Sequence, residues 1–225
     1  MTLHDALSVL WPVRCAGCGA DDRALCGACR AALSPKPSLR ELPRLPVVAA
    51  LEYDGVTRTA VLALKEHGRR DIVRVLGSAL GAAISAAAAR AGGRIELVAM
   101  PTRAASWRRR GYDPVRELVS AAGHRRPTDA LAVVASRDEQ KTLGRSARAE
   151  NLAGTMGARG GMRGRRVLLV DDVVTTGATL LEAARALRAA DAEVVGAAVL
   201  ASTPRLFGQS QAALGQTRDI PRLRV

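Results

Sequence analysis

Val167-Leu-Leu-Val-Asp-Asp-Val-Val-Thr-Thr-Gly-Ala-Thr-Leu-Leu181 holds a strand, a loop and the start of a helix in fifteen residues. An apolar strand, Val167 to Val170, ends in two acids, Asp171 and Asp172, and a turn leads directly into a helix over Ala178 to Ala190. The first amides of a helix have no helical acceptor, so those of Thr175, Thr176, Gly177, Ala178 and Thr179 converge on one centre. Gly177 admits close backbone approach, and three threonine hydroxyls add donors. The result is a phosphate cradle. The carboxylates beside it repel phosphate, yet they accept hydrogen bonds from sugar hydroxyls or hold water around magnesium. A phosphate next to a diol describes a ribose 5-phosphate.

Outward from this segment, strands and helices alternate. Ile95 to Met100 reads as a strand, Pro114 to Ala122 as a helix, Ala130 to Ala135 as a second strand and Val194 to Ala201 as another. Upstream, Val47 to Tyr53 reads as a strand, and Val56 to Lys65 and Ile72 to Arg90 read as helices interrupted near Gly68. Such alternation predicts an α/β fold with a parallel sheet flanked by helices. Between Ser136 and Arg166 lies a long polar connection carrying Lys141, Arg145 and Arg148, of the kind that forms active-site lids or disordered segments. Pro35, Pro37, Pro43 and Pro46 mark a linker. The expected organisation is a small module over 1–33, a linker over 34–46, the main domain over 47–204 and a tail over 205–225.

All four cysteines fall in the small module, as Cys15-Ala-Gly-Cys18 and Cys26-Gly-Ala-Cys29, seven residues apart. Two such knuckles suit tetrahedral zinc with four thiolates and no open coordination position, hence a structural site. An iron–sulfur cluster accepts the same ligands. Trp11, Leu25 and Leu33 are nearly the module's only large apolar side chains, so metal binding is expected to supply much of its stability.

Lys and Arg number 34 against 21 Asp and Glu, a formal net charge of +13 that favours anionic partners without naming one. The first residues lack the basic stretch and cleavage site of a secretory signal, and Ala79 to Ala91 is too short and too weakly apolar to span a bilayer. A cytoplasmic protein without a membrane partner is therefore expected. His4, His67 and His124 stand at no catalytic or metal spacing. Trp107, followed by Arg108, Arg109 and Arg110, reads as a solvated basic loop with a thin stacking platform for single-stranded nucleic acid.

Val170-Asp-Asp-Val-Val-Thr-Thr-Gly-Ala-Thr179 is similar to the ribose-phosphate signature of type I phosphoribosyltransferases. In addition, the cysteines, Tyr53-Asp-Gly55, Lys65, Met100-Pro101, Arg110-Gly-Tyr112, Gln140-x-x-Leu143 and Arg148-x-x-Asn151 occur in the order seen in ComF-type competence proteins, a resemblance covering about residues 11 to 201. Two positions depart from that pattern. Arg110-Gly-Tyr-Asp-Pro114 stands where Arg-Gly-Phe-Asn-Gln is usual, and Glu66 follows the lysine where an aromatic residue often does.

The resemblance implies a type I phosphoribosyltransferase fold that binds 5-phosphoribosyl-1-pyrophosphate with magnesium. An acceptor, which the sequence does not identify, displaces pyrophosphate at the anomeric carbon. In that scheme Asp171 and Asp172 are the catalytic acids, Arg103 and Lys141 are the favoured cations for pyrophosphate, and Arg110 and Lys65 are secondary choices. It also implies an alternative, a non-catalytic protein of DNA uptake that associates with single-stranded DNA and uses the same site to sense a ligand. Oligomeric state is not legible.

Overall fold

The computed structural model describes residues 13–21, 23–102, 104–134 and 154–204. A short helix, α1 (Gly27–Ala32), follows the second cysteine knuckle, with the Cys26 sulfur accepting from the Cys29 amide at its start. The chain then folds back at Pro43 and Arg44, so that β1 (Ser38–Leu42) pairs antiparallel with β2 (Leu45–Glu52) and Leu42 stands opposite Leu45. Part of the expected linker, 34–46, is therefore an edge hairpin. Its prolines fit because they fall outside β1, in the turn, or at the second residue of β2, where few ladder donors are lost.

From β2 the chain enters α2 (Gly55–His67), which ends on left-handed Gly68, then a 3-10 turn (Arg70–Ile72) and α3 (Val73–Ala91). Strand β3 (Glu96–Ala99) follows, then α4 (Ala104–Arg110) and α5 (Pro114–Ala121). Helix α4 corrects the reading of Trp107 to Arg110 as a loop. Strand β6 (Arg166–Val174) extends four residues past Val170, so the acids lie inside its carboxyl end rather than after it. Helix α6 (Ala178–Arg188) and β7 (Glu193–Ser202) complete the main sheet, whose order is β1-β2-β7-β6-β3. Strands β2, β7, β6 and β3 are parallel and β1 is the antiparallel edge. This is the α/β architecture of the type I phosphoribosyltransferase fold.

One strand departs from the expected sheet. β4 (Leu131–Val133) pairs antiparallel with β5 (Met156–Ala158) in a separate two-stranded ribbon. β5 lies within the stretch read as a polar connection, because three residues carry too little periodicity to announce a strand.

Period-two alternation divides the parallel strands between two cores. Val48, Ala50, Leu168, Val170, Ala198 and Leu200 meet the face that carries α2, α3 and α5, while Val47, Ala49, Val167, Leu169, Ala197 and Val199 meet the face that carries α6. With the 3-10 turn, α3 forms a 22-residue helical stretch, Arg70–Ala91, with an 18-residue window of mean hydropathy 1.7, longer than the sequence reading allowed and enough by length and composition to cross a membrane. Its Leu76, Ala79, Leu80, Ala83 and Ile84 are instead buried in the first core. A Leu80→Ala truncation there costs about 2–5 kcal/mol.

This topology locates the site. β3 and β6 are neighbours, yet the chain leaves β3 for α5 on one face and leaves β6 for α6 on the other. Parallel strands whose connections part in this way open a crevice at their carboxyl ends.

Candidate active site

Asp171 and Asp172 stand on that edge. Asp171 Oδ1 accepts from the Asp172 amide at 2.8 Å, and Asp172 Oδ2 meets Lys65 Nζ at 2.7 Å. Asp172 continues the Leu168 and Val170 register, which points it toward α2, and Lys65 lies in the last turn of that helix. Burial, the neighbouring Asp172 charge and Asp113 together outweigh the Asp172 amide and Lys65, raising the Asp171 carboxyl to about 8.

The loop after the acids turns into α6 at a glycine. Gly177 adopts φ 86° and is the N-cap of α6, and the Ala178 amide donates to Thr176 Oγ1 at 3.3 Å. Its left-handed backbone conformation favours glycine, and a Cβ there would have to push aside the tip of the Leu42 side chain on β1. Thr175, Thr176, Ala178 and Thr179 flank it as the sequence implied.

Two of the expected cations are held by protein carboxylates. Lys65 pairs with Asp172, as above. Arg110 lies 3.6 Å from Glu66, its Nε is buried without a partner among the described residues, and Arg109 meets Glu66 at 2.9 Å. Arg103 and Lys141 lie outside the described residues, as do Gln140, Arg145, Arg148 and Asn151.

The sequence departures now have local explanations. Glu66 serves as the acceptor for the arginines at the end of α4. Tyr112 keeps an aromatic ring at its position and donates its hydroxyl to the Leu64 carbonyl, immediately before Lys65. Asp113 N-caps α5, accepting from the Arg116 amide at 3.2 Å with Pro114 at the first helical position, and it accepts from Thr102 Oγ1 at 2.8 Å.

Sequence reasoning passed over Glu182. It is buried on α6, accepts the Met156 amide at 3.0 Å, and binds Arg185 Nε at 2.7 Å; Arg185 also donates to the Met156 carbonyl at 3.0 Å. Burial opposes its charge, but the Arg185 and Met156 hydrogen bonds hold its carboxyl below the usual range. This clamp ties β5 to the helix that begins at the cradle. The Val134 amide meets the Thr155 carbonyl at 2.9 Å, so the two ends flanking residues 135–153 run side by side. A buried acid four residues into α6 has no sequence signal beyond its charge on an apolar face.

Beside the end of β3 lies a cavity of about 620 Å³ whose lining includes Pro101, Thr102, Trp107, Asp113, Leu131 and Arg159. Trp107 is 53% exposed there.

The four cysteine sulfurs lie within 4.8 Å of one another and none forms a disulfide. The chemistry of the set, four convergent soft donors, fits a tetrahedral metal such as zinc. Burial opposes the Cys15 thiolate, but the Cys18, Cys26 and Gly17 amides outweigh it and lower that thiol to about 6. The Cys29 amide lowers Cys26, whereas burial pushes Cys29 up. The module is not separate from the main core: Cys15, Leu25, Cys29 and Leu33 pack with α2 and α3. A Cβ at Gly17 would lie 2.6 Å from Cys29 Sγ and 2.9 Å from Val56 Cγ1, and Arg69 Nη1 donates to the Arg14 carbonyl at 2.7 Å.

Comparison with known proteins points the same way. The phosphoribosyl transferase domain model matches residues 108–212. Adenine phosphoribosyltransferases of Mycobacterium avium and Mycolicibacterium paratuberculosis are each 46% identical to this chain over 52 residues, covering 23% of the chain and 29% of either relative. The chain thus matches less than a third of the length of these curated relatives. Fold and domain match together support a phosphoribosyltransferase domain over the segment that carries the acids and the cradle.

Proposed function

We propose that the protein binds 5-phosphoribosyl-1-pyrophosphate with magnesium and transfers the phosphoribosyl group to an acceptor. The observation that carries this reading is the pairing, at one strand end, of Asp171 and Asp172 with a Thr-Thr-Gly loop whose left-handed Gly177 opens α6. The 5-phosphate rests on the loop amides and threonine hydroxyls, and Asp171 and Asp172 accept from the ribose hydroxyls. The bond from the anomeric carbon to the pyrophosphate oxygen breaks with its electron pair leaving on pyrophosphate. A bond to the acceptor forms, and the acceptor gives up a proton.

An acid pair in which burial and the neighbouring Asp172 charge push Asp171 up suits a cation site. Magnesium, held through Asp171 and Asp172 by water or by ribose hydroxyls, would neutralise developing pyrophosphate charge. Lys65 orients Asp172, and Arg103 and Lys141 are the cations assigned to pyrophosphate. The cavity walled by Trp107, Pro101 and Leu131 offers a planar acceptor a partly apolar approach from the β3 side. Zinc on Cys15, Cys18, Cys26 and Cys29 acts structurally, in a reducing cytoplasmic compartment.

Titration calorimetry of the zinc-loaded protein with phosphoribosyl pyrophosphate and magnesium, beside Asp171→Ala/Asp172→Ala, tests the reading. Saturable binding lost in the variant is expected; a folded wild-type protein that binds nothing refutes it. The net charge of +13 favours a second role in DNA uptake through single-stranded DNA. Salt-dependent DNA binding that survives the double variant and disappears on zinc removal would put that role first.

A further inference from the structure

A basic concavity lies at the opposite end of the sheet from the acids. It has a volume of about 820 Å³ and opens where β3 and β6 begin, between the Arg94 loop, the turn after α5 and the Gly164-Arg165-Arg166 segment. Five arginines line it, Arg94, Arg125, Arg126, Arg165 and Arg166, against one carboxylate, Glu96. Arg166 and Asp171 are five residue steps apart on β6, about 17 Å of strand, so this is not an extension of the cradle.

The charges in the cavity are unevenly committed. Glu96 accepts from Thr128 and from Arg165 Nη1 at 2.9 Å; the Thr128 hydrogen bond, opposed by burial and aided by Arg165 and Arg94, keeps it ionised. Arg166 pairs with Glu193 at 3.1 Å and donates to the Ala91 carbonyl at 3.0 Å, closing the end of α3. Arg94, Arg125 and Arg126 form no salt bridge among the described residues, and all three are exposed at the rim. Three like charges held around one concavity repel each other, and a multivalent anion relieves that repulsion.

We infer that this cavity is a second anion site, for a compact ligand carrying several linked phosphates, gripped by Arg94, Arg125 and Arg126. The geometry favours a small ligand over a nucleic acid strand. No Phe, Tyr or Trp lines the cavity, and the His124 imidazole alone is a thin platform for stacking the bases of a strand. Planar guanidinium groups match phosphate oxygens two at a time. The inference does not depend on the phosphoribosyl reading.

Inorganic tripolyphosphate is the probe, titrated into the zinc-loaded wild-type protein, into Arg94→Ala/Arg125→Ala/Arg126→Ala, and into the charge-matched Arg23→Ala/Arg30→Ala/Arg58→Ala at exposed positions elsewhere. Both triple variants are checked for an unchanged thermal midpoint, and Asp171→Ala/Asp172→Ala in the same series separates binding at the cradle edge. We expect the cavity variant to weaken tripolyphosphate binding about a hundredfold while the charge-matched variant stays within a fewfold of wild type. Equal binding of a nucleoside triphosphate assigns recognition to the phosphate chain alone, and tighter binding adds the nucleoside; both support the site. Equal losses in the two triple variants, no wild-type binding, or oligonucleotide binding without tripolyphosphate binding would each overturn it.

Discussion

Lys65 Nζ lies 2.7 Å from Asp172 Oδ2, joining the end of α2 to the carboxyl edge of β6 with both side chains largely shielded from water. The lysine side chain is therefore a support for the acidic pair before any ligand arrives. Tyr112, through the Leu64 carbonyl, holds the turn from which Lys65 projects. Lys65→Met removes the counter-charge paired with Asp172 while keeping the apolar stem. It is expected to cost roughly 1–3 kcal/mol near pH 8 and less near pH 5, because Asp171 loses a partner that favours its ionised form. Thermal melts at the two pH values check this, and equal losses at both would contradict it.

Asp171 itself gives a pH prediction. Its folded-state carboxyl is raised from 3.8 to about 8, so between these values the folded protein binds more protons than the unfolded chain. Its contribution is fully present below about pH 4 and is lost as pH rises through 8. Asp171→Asn keeps the oxygen that accepts the Asp172 amide and removes the titration. The variant should match wild type near pH 4 and exceed it at pH 8 by up to about 5 kcal/mol, or about 10–20 °C in thermal midpoint. Under the proposed function, the same variant loses phosphoribosyl pyrophosphate binding.

Gly177→Ala places a Cβ on a residue with φ 86° and against Leu42. The backbone cost is about 1–2 kcal/mol, since Leu42 can move its side-chain tip. Under the proposed function, the larger effect is on phosphate binding by the loop amides. Calorimetry should show binding of phosphoribosyl pyrophosphate reduced at least about tenfold with the fold intact by circular dichroism. Unaltered affinity would remove the loop from the site.

Zinc should be present at one ion per chain by elemental analysis, with no visible absorption of the kind an iron–sulfur cluster gives. Chelation should lower the thermal midpoint by about 5–15 °C, since a few kcal/mol of metal-dependent stability converts at about 2–4 °C per kcal/mol in a chain of this size. The loss should reach α2, because Gly17, Cys29 and Val56 are in close contact. Hydrogen exchange in 55–67 is the specific readout. Chelation that frees only the knuckles would show the module to be mechanically separate.

Local patterns carried the strand, the acids, Thr175 to Thr179 and the cysteine knuckles, because each is set by residues a few positions apart whose backbone geometry follows from their own chemistry. Helices α2, α3, α5 and α6 were legible for the same reason: their apolar spacing repeats over two or more turns. Short elements were not. β1, β5 and α4 are too brief for periodicity to rise above noise, and β1 exists because β2 offers it a partner. β4 reads locally as any strand does, and only its pairing with β5 shows that it stands outside the main sheet.

The candidate site divides the same way. By itself, the sequence determined which residues could bind phosphate, ribose hydroxyls and a tetrahedral metal, since donor type and spacing are local properties. Only the tertiary structure decided that Lys65 pairs with Asp172, that Arg110 turns to Glu66, that Glu182 anchors β5, and that Arg94, Arg125 and Arg126 surround one cavity. Those relations join residues tens of positions apart. Coulomb attraction and desolvation act through space, so the partners of a charge are set by how the chain packs and not by its neighbours in sequence.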